Sequence, residues 1–295
     1  MMATSDTAAP SLTRLADRYG SDKGVRVGDG HGTTLIYDLL FHGLRDKPLR
    51  MLEIGLQVQY LDGAPTVEAP SIQMWLDYFP RAEVVGFDIR DFSHLARERF
   101  TFVRGDQASV DDLAGLAAAG PFDIVIDDGP HGAYHQQLAM AQLLPQVRDG
   151  GLYIVEDIGY QPKDLDAGYN TPRTGDSLYH FVKTGHLLTT QDLTAAQVEA
   201  VESHIGSVFL FPEAGLPDGQ FDMAVVKKAS PDNNYVAVTN LLPHKRVRAR
   251  QAAGGGVATR VVEDGGQDEV EADAPTRLAD RVRHEIANGR PEAAL

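Results

Sequence analysis

The residues with the most chemistry in this chain stand in two short clusters. Asp127-Asp128-Gly129-Pro130-His131 closes one apolar run, residues 122–126, and Glu156-Asp157 closes a second, residues 151–155. Apolar, β-branched runs of this length read as strands buried on both faces. Acids and an imidazole are costly to bury, so at a strand's end they suit a ligand better than packing. In open α/β sheets ligands sit in the crevice beyond the carboxyl ends of the strands. If the two strands are neighbours, Asp128, Glu156 and Asp157 converge. Three carboxylates at one point repel unless a cation joins them, which predicts a metal site. With no cysteine in the chain, such an all-oxygen set selects a hard cation.

His131 follows Asp128 by three residues. An imidazole with an ordinary pKa near 6.5 can take a hydroxyl proton at neutral pH, which makes His131 the candidate general base beside Asp128. His135 shares its helix face and is the weaker candidate. His31 sits in a turn-rich N-terminal stretch, and His42 and Trp75 read as packing. Any one of these acids alone would read as a cap or a loop residue; their grouping beyond two strands is what points to a site.

Three further acids follow the same rule. Glu53-Ile54-Gly55, Asp88 and Asp106 end three consecutive strand-like runs. A nucleoside-containing cofactor would lie across them, Asp88 accepting from ribose hydroxyls and Gly55 letting the ligand approach the backbone. The G-x-G-x-x-G fingerprint of dinucleotide binding is absent, since Leu-Gln-Val-Gln-Tyr-Leu-Asp-Gly follows Gly55. That speaks against a nicotinamide dinucleotide.

The elements needed to position these groups are legible around them. Helical spacing covers residues 11–19, with Leu12, Leu15, Ala16 and Tyr19 on one side and Gly20 as the stop. A second helix carries Leu35, Leu39 and Leu40 among its apolar positions, with Tyr37 and Phe41 beside them. Strands are expected within residues 47–55, 84–89, 100–107, 122–126, 151–157, 207–211 and 221–227, the last antiparallel. Helices are expected from Ser71, as cap, through Trp75 and Phe79, over residues 110–119, and over 134–147. Thr194-Ala-Ala-Gln197 looks like a capping box opening a helix to His204, and residues 159–177 read as a loop over the site. Alternating strands and helices mean a parallel sheet covered on both faces.

The chain has 295 residues, 43% of them hydrophobic, and a formal charge of −15. That allows one large domain with an appendage: a leader and helical lid at 1–46, a sheet domain at 47–229, and a mobile tail at 230–295. The tail is expected from its Gly254-Gly-Gly stretch and acidic run. The negative charge argues against nucleic acid, which needs clustered Lys and Arg. No stretch has the length and apolarity of a membrane span, and the N-terminus lacks the pattern of a signal peptide. A cytoplasmic protein is expected, and a homo-oligomer is left open.

The order Glu53-x-Gly55, Asp88, Gly105-Asp-Gln107 and Asp127-Asp128 resembles the class I S-adenosylmethionine-dependent methyltransferases. More narrowly, Tyr19-Gly-Ser-Asp-Lys-Gly24, His31-Gly32, Met74-Trp75, Tyr78-Phe-Pro80, Asp127-Asp-Gly-x-His131 and Gly150-Gly-Leu-Tyr-x-Val-Glu-Asp157 resemble the metal-dependent macrolide sugar O-methyltransferases. The resemblance covers roughly residues 12–228 and departs in the bulky loop 56–70. It implies an α/β, Rossmann-like methyltransferase fold with a mostly parallel seven-stranded sheet and an N-terminal helical lid. It implies S-adenosylmethionine and Mg2+ as cofactors, a small-molecule glycoside as acceptor, and a role in antibiotic biosynthesis. The cofactor would meet Glu53, Gly55, Asp88, Ile89, Asp106, Gln107 and Asp127, with Tyr19 and Lys23 closing over it. Magnesium would be held by Asp128, Glu156 and Asp157. The rival readings are a methyltransferase for a catechol or other chelating diol, an NAD(P) oxidoreductase, and a binding module without catalysis.

Overall fold

A computed structural model describes residues 9–26, 32–56, 59–61, 64–66, 68–160, 162–165, 167–188, 190–212, 221–231, 235–238 and 246–249. In chain order, α1 (Leu12–Tyr19) and α2 (Thr33–Phe41) precede β1 (Arg50–Ile54). A small antiparallel pair, β2 (Gln59–Leu61) and β3 (Ala64–Thr66), leads to α3 (Pro70–Tyr78). Next come β4 (Glu83–Asp88), β5 (Phe100–Arg104), α4 (Val110–Ala117), β6 (Phe122–Asp127), α5 (Ala133–Leu143) and β7 (Val147–Val155). The chain continues through α6 (Thr174–Thr184), α7 (Ala195–His204), β8 (Ile205–Pro212), β9 (Phe221–Lys228), β10 (Tyr235–Val238) and β11 (Arg246–Ala249).

The main sheet runs β11-β10-β8-β9-β7-β6-β1-β4-β5. From β7 to β5 every pairing is parallel, and β9 enters antiparallel between β7 and β8. The chain reverses direction in strand order beside β1, with β4 on one side and β6 on the other. Such a switch point leaves a crevice at the carboxyl ends of the strands.

Alternation along the strands builds a core on each face of the sheet. Leu52, Val85, Val125 and Tyr153 pack with α4–α7, through residues such as Leu116, Leu138, Phe181 and Val201. Met51, Val84, Ile126 and Ile154 pack with α1–α3 on the other face. There the rings of Tyr37 and Phe41 stack at 5.3 Å and meet Trp75 edge-on at 5.6 and 6.1 Å. Full burial of an aromatic side chain contributes about 1.5–3 kcal/mol, so this trio fastens the N-terminal helices to α3.

Several local expectations are corrected. Leu35 and Leu39 are 63% and 79% exposed, because the face of α2 that carries Tyr37 and Phe41 is the one that docks. Ser71 does not cap α3; Pro70 takes the helix start, where its missing N–H goes unneeded, and Ser71 Oγ donates to Glu53 Oε2 at 2.8 Å. α5 stops at Leu143 rather than 147, where Pro145 follows and Val147 already belongs to β7. Residues 174–177 lie in α6, whose buried Leu178 and Phe181 sit outside the stretch read as a loop. β10 and β11 fall in the region read as a mobile tail, so those segments join the sheet edge. The capping box of α7 forms as expected.

Candidate functional site

The carboxyl ends of β1, β4, β5, β6 and β7 open into a cavity of about 840 Å³. Of the residues the sequence singles out, Gly55, Asp88, Ile89, Asp106, Gln107, Asp128, His131 and Asp157 line it. The cavity has two ends. Asp88, Ile89, Asp106 and Gln107 follow β4 and β5, and Asp128, His131 and Asp157 follow β6 and β7.

At the β1 end there is no room for a side chain on Gly55. Its φ is +81°, and a Cβ would stand 2.0 Å from the Asp128 carbonyl oxygen. The close approach is held by Asp128 N–H donating to Ile54 O at 2.9 Å and Gly55 N–H to Phe87 O at 2.9 Å. Asp88 is fixed by backbone donors, taking Leu56 N–H on Oδ2 at 2.7 Å and Arg90 N–H on Oδ1 at 2.8 Å. Asp106 Oδ1 accepts from Ala108 N–H at 2.8 Å. Gln107 Nε2 donates to both Asp127 oxygens at 2.9 Å, which turns Gln107 Oε1, buried and without a partner, toward Gly129. A buried acceptor left open beside a cavity fits a donor on a ligand.

At the other end, Asp128, His131 and Asp157 each offer one ligand atom, all within 4.8 Å of one another. His131 Nε2 is 3.4 Å from Asp157 Oδ2, and its Nδ1 is buried without a partner. Both residues hold a positive φ, 64° and 52°, a region that non-glycine residues seldom adopt. Two carboxylates and an imidazole make a donor set that fits a hard or borderline divalent cation.

Five expected site residues do not line the cavity. Lys23 is 2% exposed and reaches between strand ends: its Nζ pairs with Asp128, with Glu156 Oε1 at 2.7 Å and with Glu53 Oε1 at 4.0 Å. It does not line the cavity. Burial works against its ammonium, yet Asp128, Glu156, Glu53 and Asp22 together hold its pKa well above the ordinary lysine value. Glu156 also accepts from Tyr37 OH at 2.5 Å, so both bonds fall on Oε1. It is absent from the three-residue cluster, where His131 stands in its place. Burial raises the pKa values of Asp128 and Glu156, and Lys23 pulls them back. Four acids around one ammonium leave this region short of positive charge.

Glu53 is fully buried against Ser71, and burial lifts its pKa to about 7. Asp127 is 1% exposed behind Gln107, and burial lifts it likewise to about 7. The sequence places each against a cofactor; in the structure neither lines the cavity, and Asp127 supports Gln107, which does. Tyr19 donates to Asp77 on α3, away from the cavity. His135 is 7% exposed and lines the cavity beside Gln107. His31 lies outside the described residues. Asp22 and Tyr160 also line the cavity; each adjoins a motif already noted, and neither spacing nor residue type marks it out.

Fold and site together define a Rossmann-like class I methyltransferase architecture. Within that class the chain is similar to the macrolide sugar O-methyltransferases. It is 38% identical over 159 residues to mycinamicin VI 2''-O-methyltransferase of Micromonospora griseorubida, covering 54% of this chain and 38% of that protein. It is 41% identical over 160 residues to demethylmacrocin O-methyltransferase of Streptomyces fradiae, covering 54% and 39%. The solved structure of MycE methyltransferase of the mycinamycin pathway, in complex with Mg, SAH and mycinamycin VI, superposes with a TM-score of 0.57. There the identity is 31%, over 76% of this chain and 56% of that one. The matched region thus spans less than half the length of the curated relatives. No family model matches the chain.

Proposed function

We propose that this chain is an S-adenosylmethionine- and magnesium-dependent O-methyltransferase that acts on a sugar hydroxyl of a glycosylated natural product. One observation carries the reading: Asp128, His131 and Asp157 meet at one end of a cavity whose other end is lined by Asp88, Asp106 and Gln107. The likeness to relatives named as sugar O-methyltransferases, and to a structure holding Mg and SAH, supports it.

When bound, S-adenosylmethionine would supply the methyl group, and a divalent cation would supply positive charge that eases ionisation of a hydroxyl. Asp88, Ile89, Asp106 and Gln107 would hold the nucleoside, with Gln107 Oε1 as an acceptor fixed by Asp127. Asp128 and Asp157 would hold the cation. Glu156, whose Oε1 accepts from Lys23 and Tyr37, would join them. His131 would take the acceptor proton, and Asp157 Oδ2, 3.4 Å from its Nε2, holds the ring in place. The remaining work is positioning, which can supply several kcal/mol when reacting groups are held in line. Lys23 serves this by tying the ends of β1, β6 and β7 together.

Thermal unfolding with S-adenosylhomocysteine or NADH tests the cofactor, and methyl transfer over a panel of macrolide glycosides, with and without chelator, tests the reaction. At 100 times its Kd, S-adenosylhomocysteine should stabilise the fold by roughly 2.7 kcal/mol. A response to NADH alone, or full turnover in chelator, would overturn the proposal.

A further inference from the structure

Tyr160 is 61% exposed and lines the cavity at the end where His131 stands. An aromatic ring left open to a cavity, rather than packed, asks for a use. Its position is fixed from behind. Asp157, at positive φ, opens a turn in which Tyr160 N–H donates to Asp157 O at 3.1 Å. Within that turn Ile158 is buried, and its N–H donates to Asp222 O at 2.9 Å, pinning the turn to β9. The ring stands edge-on to His131, with centroids 6.1 Å apart and planes at 69°. Leu165, 37% exposed, lines the same cavity.

The two ends of the cavity therefore differ in kind. The end at β4 and β5 presents fixed polar acceptors. The end at β6 and β7 sets His131 and two carboxylates beside an exposed aromatic ring and an aliphatic side chain. A group resting on the exposed part of the Tyr160 ring would lie beside the imidazole, whose centroid is 6.1 Å away. A pyranose has the matching shape: hydroxyls on its rim and a face of C–H groups that packs on an aromatic ring.

We infer that Tyr160 is the platform on which the acceptor's hydroxyl-bearing sugar ring rests, so that it sets acceptor affinity without touching the cofactor. This rests on the methyltransferase reading above. The test compares Tyr160→Ala and Tyr160→Phe with the parent chain on the macrolide glycoside that the parent methylates best. KM for that acceptor, kcat, and S-adenosylhomocysteine affinity by calorimetry are measured. Tyr160→Ala should raise KM about tenfold, the order expected for one lost aromatic contact. Its kcat and S-adenosylhomocysteine affinity should stay within about twofold. Tyr160→Phe should keep KM near the parent value, because the ring face and not the hydroxyl does the holding. An unchanged KM in Tyr160→Ala, a Phe variant as impaired as the Ala variant, or an equal loss of S-adenosylhomocysteine binding would each overturn the inference while the parent remains an active methyltransferase. A parent that methylates no glycoside on the panel would remove the functional reading and the platform together.

Discussion

His131 Nε2 stands 3.4 Å from Asp157 Oδ2, and both residues hold their backbones in the left-handed region. A non-glycine residue there carries strain of order 1–3 kcal/mol and persists only where its surroundings over-determine it. For Asp157 the surroundings are visible: the following residue, Ile158, is buried and tied to β9. The two side chains meet just beyond the ends of β6 and β7. The site is thus a product of how β6 and β7 end, not of their interiors.

The imidazole should carry proton transfer and little stability. His131→Ala should retain S-adenosylhomocysteine and magnesium binding, while its rate falls by about 10²–10⁴, the usual worth of a positioned base. His131→Gly should lose the same activity and be at least as stable as the Ala variant, since glycine accepts a positive φ without strain. Turnover with each variant, set beside urea unfolding, checks both halves. An Ala variant as fast as the parent would remove His131 from the reaction.

The sheet, the alternation into two cores, and the acids at the strand ends were legible because each follows a short local period or a strand terminus. What the sequence hid is depth. Glu53, Asp127 and Glu156 end strands just as Asp88, Asp128 and Asp157 do, yet the former are buried behind the latter. Strand register and twist decide which acid of a pair faces the cavity, and residue type does not encode that. The ion-pairing position of Lys23 was hidden for a different reason. It arrives from the turn after α1, 105 residues before Asp128 in sequence, so no spacing rule links them. The docked face of α2 is not the one that leucine spacing suggests, because two aromatic residues that match Trp75 in shape decide it.

Cation binding should separate the carboxylates. Asp128→Asn and Asp157→Asn should each weaken magnesium binding at least tenfold by calorimetry and remove turnover that excess magnesium does not restore. Asp88→Asn should leave magnesium binding intact and weaken S-adenosylhomocysteine instead. If the Asp88 variant lost magnesium while Asp128→Asn kept it, the two ends of the cavity would be assigned the wrong way round.

Lys23 should matter chiefly for stability. Removing one partner of a buried charge cluster leaves the others uncompensated, at about 3–5 kcal/mol. Lys23→Met should therefore unfold at markedly lower urea than the parent at pH 8. The gap should narrow as the pH falls, because Glu53, Asp128 and Glu156 then take up protons and need no ammonium. Equal unfolding midpoints at pH 8 would mean that the ion pairs are not formed in solution.

The last prediction concerns Glu53, whose pKa burial raises from 4.5 to about 7 while Lys23 and Ser71 pull it down. The folded protein therefore binds this proton more tightly than the unfolded chain does. The contribution is fully present below about pH 4.5 and is lost as the pH rises through about 7, where the buried carboxylate must ionise. Glu53→Gln keeps an acceptor for Ser71 Oγ and never ionises. Relative to the parent it should gain stability between pH 5 and pH 8, by up to about 3 kcal/mol, because each tenfold change in proton affinity is worth about 1.4 kcal/mol. Urea unfolding of both proteins at the two pH values reads the difference. A parent-to-variant gap that stays constant across this range would show that Glu53 titrates at its ordinary value and that the floor of the site is wetter than its burial implies.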